Sequence, residues 1–353
     1  MSQVILQAMK QPIPWIGGTG ASVRRALPLR RQSFSRWRSI GLALIAVSVM
    51  MLPACEKAGV AASGSAGATS IRLFNAASIA RPLRVLADSF TARSGVKVLQ
   101  ENQASLELAR KLTEFNDIPD VIALADYQVF PKLLAPKYVD GWWLFARNRL
   151  VLAYTEQSHH QDLLVNDGWR NVVTMKDVEV GRSDPNTDPS GYRTLMAFQL
   201  AELHYGEAGL AKRLLASAAE RNVRPREADQ VGMLQAGALD YIWTYENLAR
   251  GAGLKIIMLP SEIDLGSAAD STQYSKVSVR VAGKQRGDSV TFQGEPILYA
   301  IAVPSAAPDS TAAHQFLSFL LSADGQRILR AASLDALEQP IPIGTAVGRA
   351  SKP

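Results

Sequence analysis

From Ile71 onward, short apolar runs rich in β-branched residues alternate with longer amphipathic stretches. The short runs predict strands, and they lie at 71–75, 96–101, 120–125, 150–155, 240–245, 255–259 and 297–303. In the longer stretches apolar residues recur every three or four positions, which predicts helices over 79–93, 106–115, 192–204 and 312–331. Alternation of this kind is typical of α/β folds with largely parallel sheets.

Three of the predicted strand-to-helix junctions carry a serine beside small residues. They are residues 75–78 (NAAS), 103–105 (QAS) and 188–191 (DPSG). Ligands of such sheets bind beyond the carboxyl ends of the strands, and helix N-termini offer free N–H groups and a partial positive charge. The junctions therefore suggest an anion site without a lysine. Serine also caps helices in many proteins, so the pattern by itself leaves a purely structural role open.

The charge of the chain is unevenly distributed. Its 353 residues include 38 Lys and Arg against 32 Asp and Glu, a formal charge of +6. Seven of the basic residues and no acidic residue fall within the first 54 positions, which leaves 31 basic and 32 acidic residues in the remainder. The basic excess belongs to the N-terminal segment, so it does not indicate a nucleic-acid partner for the body.

The N-terminal segment has the layout of an export signal. Its arginines precede an uncharged stretch, 39–54 (SIGLALIAVSVMMLPA), that ends at Cys55, the only cysteine. It resembles a bacterial lipoprotein signal in which Cys55 becomes the lipid-modified first residue, although Pro53 departs from the usual pattern. We expect 1–54 to be the signal and 55–69 a flexible tether; an uncleaved membrane anchor is the alternative.

Four segments carry a resemblance to a known family. They are 125–155, which contains FARNRLVLAYT, 183–196, which contains SDPNTDPSGYR, 224–260 and 294–308. Together they closely resemble the tungstate/molybdate-binding proteins of ABC importers, and the resemblance runs from about Ile71 to Leu334.

The resemblance implies a two-lobed periplasmic-binding-protein fold of the second topological type, each lobe a mainly parallel sheet flanked by helices. Lobe 1 would comprise 70–149 and 296–345, and lobe 2 would comprise 150–295. The implied function is capture of an oxyanion in the interlobe cleft, outside the cytoplasm, and its delivery to an ABC permease and ATPase. The resemblance also implies a monomer that needs no cofactor and that binds its ligand without catalysing a reaction.

The resemblance also implies site residues. Ser78 and Ser105 match serines that hold the oxyanion from the first lobe through hydroxyls and amides. In the second lobe, Asp188 matches a carboxylate that approaches the metal itself, Ser190 a helix-start amide, and Tyr245 a hydroxyl donor to an anion oxygen.

One position departs from the family pattern. Several members have a Glu immediately before the tyrosine, where this chain has Thr244. A single carboxylate and a donating Thr244 would suit a four-coordinate oxyanion, with Glu246 as a possible substitute ligand. Sulfate or phosphate binding, or a membrane-tethered oxyanion sensor, therefore stay open as alternatives.

Several other polar and aromatic residues have plainer interpretations. We expect Trp142, Trp143 and Phe145 to pack in the core or hinge, and Arg147 and Arg193 to form salt bridges. An enzyme on the same fold would need a nucleophile or an acid/base pair in the cleft, and the sequence offers no G-x-S-x-G, phosphate-loop or H-E-x-x-H motif.

Overall fold

The computed structural model describes residues 70–164, 168–283 and 287–344. The predicted signal, Cys55 and the tether lie outside these residues. Within them, no helix combines the length and the apolar character needed to cross a membrane.

The described residues form two mixed sheets and a separate two-stranded ribbon. The strands are β1 (Ser70–Ala76), β2 (Lys97–Gln103), β3 (Val121–Leu124), β4 (Gly141–Arg147), β5 (Leu150–Tyr154), β6 (Val180–Ser183), β7 (Val223–Arg224), β8 (Tyr241–Tyr245), β9 (Lys255–Met258), β10 (Ser278–Ala282), β11 (Ser289–Gln293), β12 (Leu298–Ala302) and β13 (Asp335–Gly344). The first sheet has the order β13-β4-β12-β3-β1-β2, the second has the order β7-β6-β8-β5-β9, and β10 pairs with β11.

Helices flank both sheets. They are α1 (Ala80–Ser94), α2 (Ser105–Phe115), α3 (Trp169–Val172), α4 (Pro189–Tyr205), α5 (Leu210–Ser217), α6 (Glu227–Gln235), α7 (Glu246–Gly251), α8 (Ser261–Asp264), α9 (Ser271–Tyr274), α10 (Ser310–Leu321) and α11 (Ala323–Ala331). Their buried faces follow the apolar spacing of the sequence; in α1, Leu83, Leu86 and Phe90 point inward. Gly95 then ends α1 in the left-handed conformation, with φ +76°.

The α/β class and the two-lobed arrangement predicted from the sequence are confirmed, and every predicted strand is present. The expectation of largely parallel sheets is only partly correct. In the first sheet β1 pairs in parallel with β2 and β3, whereas the pairings of β12 and β4 are antiparallel. In the second, β6 pairs in parallel with β7 and β8, and β5 is antiparallel to both neighbours. The strands that directly follow a crossing between the sheets, β5 and β12, are antiparallel to both of their neighbours, and β13 is antiparallel to β4.

The single helix predicted over 312–331 is wrong in detail. The Ser322 side chain accepts a hydrogen bond from the Gly325 amide and so caps α11, which separates it from α10. The first sheet draws its strands from both ends of the body, up to β4 and again from β12, and the second from the middle. The lobe boundaries given above stay our working division.

Candidate functional site

The carboxyl edge of the first sheet presents the two predicted serines. β1 and β2 are parallel, with Ala76 opposite Gln103, so the segments that follow them leave the sheet at the same level. Ser78 lies in the 3₁₀ turn Ala77–Ile79 after β1, and Ser105 opens α2 after β2. Both are buried. The two serines therefore lie at the same edge of the first sheet.

Ser105 is held by the strand beside it. Its Oγ accepts a hydrogen bond from the amide of Ala125, the first residue after β3, at 3.1 Å. Since the hydroxyl accepts from this amide, its own hydrogen stays available to an acceptor. Ser105 can thus donate to an anion.

The carboxyl edge of the second sheet brings together three segments that are distant in sequence. β6, β7 and β8 run parallel, so the loop 184–188, the start of α6 and the residues that end β8 share one edge. Gly191 allows the close packing of this loop, because a Cβ there would lie 2.6 Å from the carbonyl carbon of Asp184. Asp188, Glu227, Thr244 and Tyr245 are all buried at this edge.

Hydrogen bonds join the two edges face to face. The amide of Leu106, at the start of α2, donates to the carbonyl of Thr187 at 3.0 Å. The side chain of Asn247, in α7, donates to the carbonyl of Ser78 at 2.8 Å. The rings of Tyr245 and Tyr299 meet edge to face with centroids 6.1 Å apart. The predicted first-lobe and second-lobe site residues therefore belong to one buried region.

Asp188 caps two helices. Its Oδ1 accepts from the amide of Ser190 in α4 at 3.1 Å, and its Oδ2 accepts from the amide of Glu227 in α6 at 3.0 Å. A carboxylate has about four lone-pair positions, so either oxygen can still meet a ligand. The Ser190 amide, expected to face the anion, is engaged by Asp188, and its hydroxyl donates to Ser183 Oγ at 2.9 Å. Ser190 supports the loop instead of facing the ligand.

Glu227 also lies at this edge, although the sequence alone does not indicate it as a site residue. Its side chain is buried, and one oxygen, Oε1, accepts from the Thr244 hydroxyl at 2.5 Å and from the Tyr245 amide. Burial and the nearby Asp188 carboxylate raise the pKa of Glu227, and burial raises that of Asp188. The site therefore holds a second carboxylate, which the sequence places 18 positions before Tyr245 and not next to it.

This arrangement corrects the predicted role of Thr244. The hydroxyl of Thr244 has one hydrogen, and it is donated to Glu227, so this hydrogen is engaged by the carboxylate and not free for an anion. Glu246 does not share the strand face of Thr244, because the strand ends at Tyr245 and Glu246 begins α7. Its carboxylate instead pairs with Arg149 and Arg250 at 2.8 and 2.7 Å.

Two buried polar atoms at this edge have no hydrogen-bond partner within the described part of the chain. They are Oε2 of Glu227 and the hydroxyl of Tyr245. Burial raises the pKa of Tyr245 well above its usual value, so the phenol stays a donor at neutral pH. A buried acceptor and a buried donor left unpaired cost stability, and both are suited to a ligand that offers an acceptor oxygen and a Lewis-acidic centre.

A fully buried arginine of α4 is neutralised by its own partner. Arg193, fully buried in α4, pairs with Asp126 through Nη2 at 2.5 Å and donates to the Glu295 carbonyl at 2.7 Å. Tyr192 donates to the same Asp126 oxygen at 2.7 Å. Arg193 therefore joins the second lobe to the segment after β3, as the salt-bridge interpretation predicted.

The remaining predicted residues lie elsewhere. Arg147 pairs with Asp335 at 2.7 Å, and Trp142 stacks on Phe130 in the core with Phe145 buried nearby. Across the described residues, no three His, Cys, Asp or Glu side chains come together as a metal-ion site.

Comparison with known proteins decides the family. Residues 71–333 match the model of the bacterial extracellular solute-binding proteins. The chain belongs to this family. Its members bind solutes for transport, so the prediction of a binding protein of ABC-importer type and not an enzyme is confirmed.

Individual relatives carry more specific names. A protein from Pyrococcus abyssi named molybdate/tungstate-binding protein WtpA is 33% identical over 86% of this chain and 95% of its own length. Its namesake from Thermococcus kodakarensis is 32% identical over 87% and 94%. An uncharacterised solute-binding protein from Petrotoga mobilis is 35% identical over 76% and 84%.

Solved structures support the fold. The periplasmic molybdate-binding protein of Azotobacter vinelandii superposes with a TM-score of 0.54 at 18% identity, over 75% of this chain and 98% of that one. The sulfate-binding protein SubI of Mycobacterium tuberculosis gives 0.54 at 14% identity, over 76% and 88%. At these identities the likeness concerns the two-lobed fold and not the ligand.

Proposed function

We propose that this solute-binding protein captures tungstate or molybdate in the cleft between its two sheets. The observation that carries the proposal is the buried pair Asp188 and Glu227, with Oε2 of Glu227 and the hydroxyl of the adjacent Tyr245 both left unpaired among the described residues. The relatives named molybdate/tungstate-binding proteins cover most of this chain and support the same ligand class.

The acid pair selects among oxyanions. A carboxylate repels an anion unless it binds the central atom directly, and hard, high-valent tungsten or molybdenum accepts carboxylate oxygens. Sulfur and phosphorus in sulfate and phosphate keep four oxygens and gain no such bond. We therefore expect six-coordinate metal, with one oxygen from Asp188 and one from Glu227 added to the four oxo groups. This replaces the four-coordinate geometry expected from Thr244 alone.

Calorimetry and X-ray absorption test the proposal. Titration of the purified protein with tungstate and molybdate should show tight one-to-one binding, and sulfate and phosphate should bind far more weakly. The tungsten absorption edge of the complex should report six oxygen neighbours. Glu227→Gln, which keeps the shape and hydrogen-bond acceptor of the side chain, should shift the spectrum toward tetrahedral tungstate. A response to sulfate or phosphate without one to tungstate or molybdate would contradict the proposal.

Delivery of the anion to an ABC permease and its ATPase completes the proposed role. We propose further that Cys55 carries a lipid anchor on the extracytoplasmic side of the membrane. Mass spectrometry of the N-terminal peptide from membranes of the native host should show acylated Cys55, and Cys55→Ser should release the protein from the membrane fraction. A mature N-terminus at any other residue would refute the anchor.

A further inference from the structure

A buried hydrogen-bond network connects Ser78 with both lobes and with the crossing between them. Asn148 follows β4 at that crossing, Tyr299 lies in β12 of the first sheet, and Asn247 lies in α7 next to the second sheet. The side chains of all four residues are buried. Among the described residues, the hydrogen bonds of this network do not reach Asp188 or Glu227.

The direction of each hydrogen bond in the network is fixed by backbone groups at its two ends. The amide of Arg149 can only donate, and it donates to Oδ1 of Asn148 at 2.9 Å. The amide nitrogen of Asn148 is therefore the end that donates to Asn247 Oδ1 at 2.6 Å and to the Tyr299 hydroxyl at 2.8 Å.

The other end of the network agrees with this assignment. The carbonyl of Ser78 can only accept, and the nitrogen of Asn247 donates to it at 2.8 Å. Turning either asparagine by 180° would set two donors or two acceptors against each other. Both amide orientations therefore follow from the hydrogen bonds themselves.

Either hydroxyl could donate in the hydrogen bond between Tyr299 and Ser78, and the other partner of Tyr299 favours donation by the tyrosine. The Tyr299 oxygen accepts from Asn148, so its own hydrogen is free to go to Ser78 Oγ, which lies 3.2 Å away. Ser78 Oγ then accepts, as Ser105 Oγ accepts from the Ala125 amide. Each serine is left with its hydroxyl hydrogen available to an anion.

We propose that Asn148, Tyr299 and Asn247 are positioning residues that turn the Ser78 hydroxyl toward the bound oxyanion and hold its loop against the second lobe. The inference rests on the proposed function, because it assigns these residues to capture of the same ligand. Orientation of the donor before the ligand arrives removes an ordering cost from binding.

A double-mutant cycle tests the relay. Tyr299→Phe removes the orienting hydroxyl and should weaken tungstate binding about tenfold, as expected for loss of a well-placed hydrogen bond to a charged group. Ser78→Ala should weaken it by a similar or larger factor. The double variant should be no worse than Ser78→Ala, because Tyr299 acts through Ser78. Tyr241→Phe is the matched control, since Tyr241 is also a buried strand tyrosine but donates to the His159 carbonyl at 2.5 Å.

A change of polarity separates orientation from packing. Asn148→Asp preserves the shape of the side chain but replaces its donating nitrogen by an acceptor oxygen. Tyr299 would then donate to it and accept from Ser78, which turns the serine hydrogen away from the anion, and Asn247 Oδ1 would lose its donor. The variant should weaken binding, and by less when Ser78 is already alanine. Equal effects in both backgrounds would overturn the relay.

A ligand-free measurement distinguishes failure of the relay from failure of the proposed function. Asn148→Ala and Tyr299→Phe remove the same hydrogen bond, so their shifts of the urea midpoint should be less than additive in the ligand-free protein. Additive shifts of the midpoint would overturn the relay. It would also be overturned if the losses of affinity in Ser78→Ala and Tyr299→Phe multiplied in the double variant. Neither result would affect the proposed function, provided that the wild-type protein binds tungstate or molybdate. A wild-type protein that takes up neither tungstate nor molybdate overturns the proposed function, and with it any role of the relay in capture.

Discussion

The ion pair between Arg193 and Asp126 should contribute both to the stability of the protein and to its affinity for tungstate. Asp126 directly follows Ala125, whose amide holds Ser105, and Arg193 lies in α4, the helix that Asp188 caps. The pair is thus one of the links between the support of a first-lobe serine and the helix of a second-lobe carboxylate. Asp126→Asn keeps the size of the side chain and removes its charge.

The structure gives the size of the effect. Arg193 has no exposed surface, and its Nε and Nη2 lie 3.1 and 2.5 Å from the same Asp126 oxygen. Removing the charge of Asp126 leaves the guanidinium buried without this counter-charge, although it still donates to the Glu295 carbonyl at 2.7 Å and contacts the Met196 sulfur at 4.0 Å. Breaking a buried pair on one side costs about 3–5 kcal/mol, so Asp126→Asn should lower the free energy of unfolding by about that amount. The double variant with Arg193→Met should lose less than the sum of the single variants.

Urea unfolding followed by tryptophan fluorescence measures the change, and calorimetry with tungstate measures its effect on binding. An exposed pair provides the control: Arg213→Met should cost less than about 1 kcal/mol, because its partner Glu207 is also solvated. A loss below about 1 kcal/mol for Asp126→Asn would refute the reasoning, since the pair would then carry no more weight than a surface salt bridge. Unchanged tungstate affinity in a folded Asp126→Asn protein would remove the link to the site.

Three further changes test other parts of the structure. Ser105→Ala should weaken tungstate binding by about 1–3 kcal/mol in calorimetry, because it removes a donor to a desolvated anion. Thr244→Val should raise the tungstate dissociation constant with little change in the sulfate response, because it frees the Glu227 carboxylate from its hydroxyl donor. Burial raises the pKa of Asp264 from its ordinary 3.8 to about 7, so its contribution to stability is complete below pH 3.8 and is lost as the pH rises through about 7. Asp264→Asn should therefore flatten the fall of the wild-type urea midpoint between about pH 4 and about pH 8; an unchanged slope would contradict this account.

The parts of the site that follow a strand directly could be predicted from the sequence. Ser78 and Ser105 come two residues after β1 and β2, and Tyr245 ends β8, so the alternation of strands and helices is enough to place them at the sheet edges. Asp188 carried its own signal, because an acid followed by proline is typical of a helix start.

Glu227 could not be placed in the same way. It follows the two-residue strand β7, which is too short for periodicity to reveal, and its neighbours Thr244 and Asp188 come to it through the parallel pairing of β6 with β7 and β8. The local signal is only an acidic residue at the start of a helix, which usually interacts with the helix dipole. The resemblance indicates the residue before Tyr245 as the second carboxylate, and this chain has Thr244 at that position.

The location of Glu227 also changes how charge explains binding. The residues after position 54 carry nearly equal numbers of acidic and basic side chains, and the buried Arg193 is neutralised by Asp126. The site then combines two helix N-termini and several hydroxyls with two carboxylates, and the charges of the carboxylates would repel a dianion on electrostatics alone.

Binding of the dianion becomes favourable if the carboxylates are protonated or if they bind its central atom. In the first case the pair would donate hydrogen bonds to any tetrahedral oxyanion, and tungstate affinity would fall as the pH rises. In the second it would compete with protons for the metal, and affinity would weaken as the pH falls. We expect the second behaviour, so calorimetry with tungstate at pH 6 and pH 8, a range of about two units across which the raised pKa values make the pair titrate, separates a tungstate/molybdate site from a general oxyanion site.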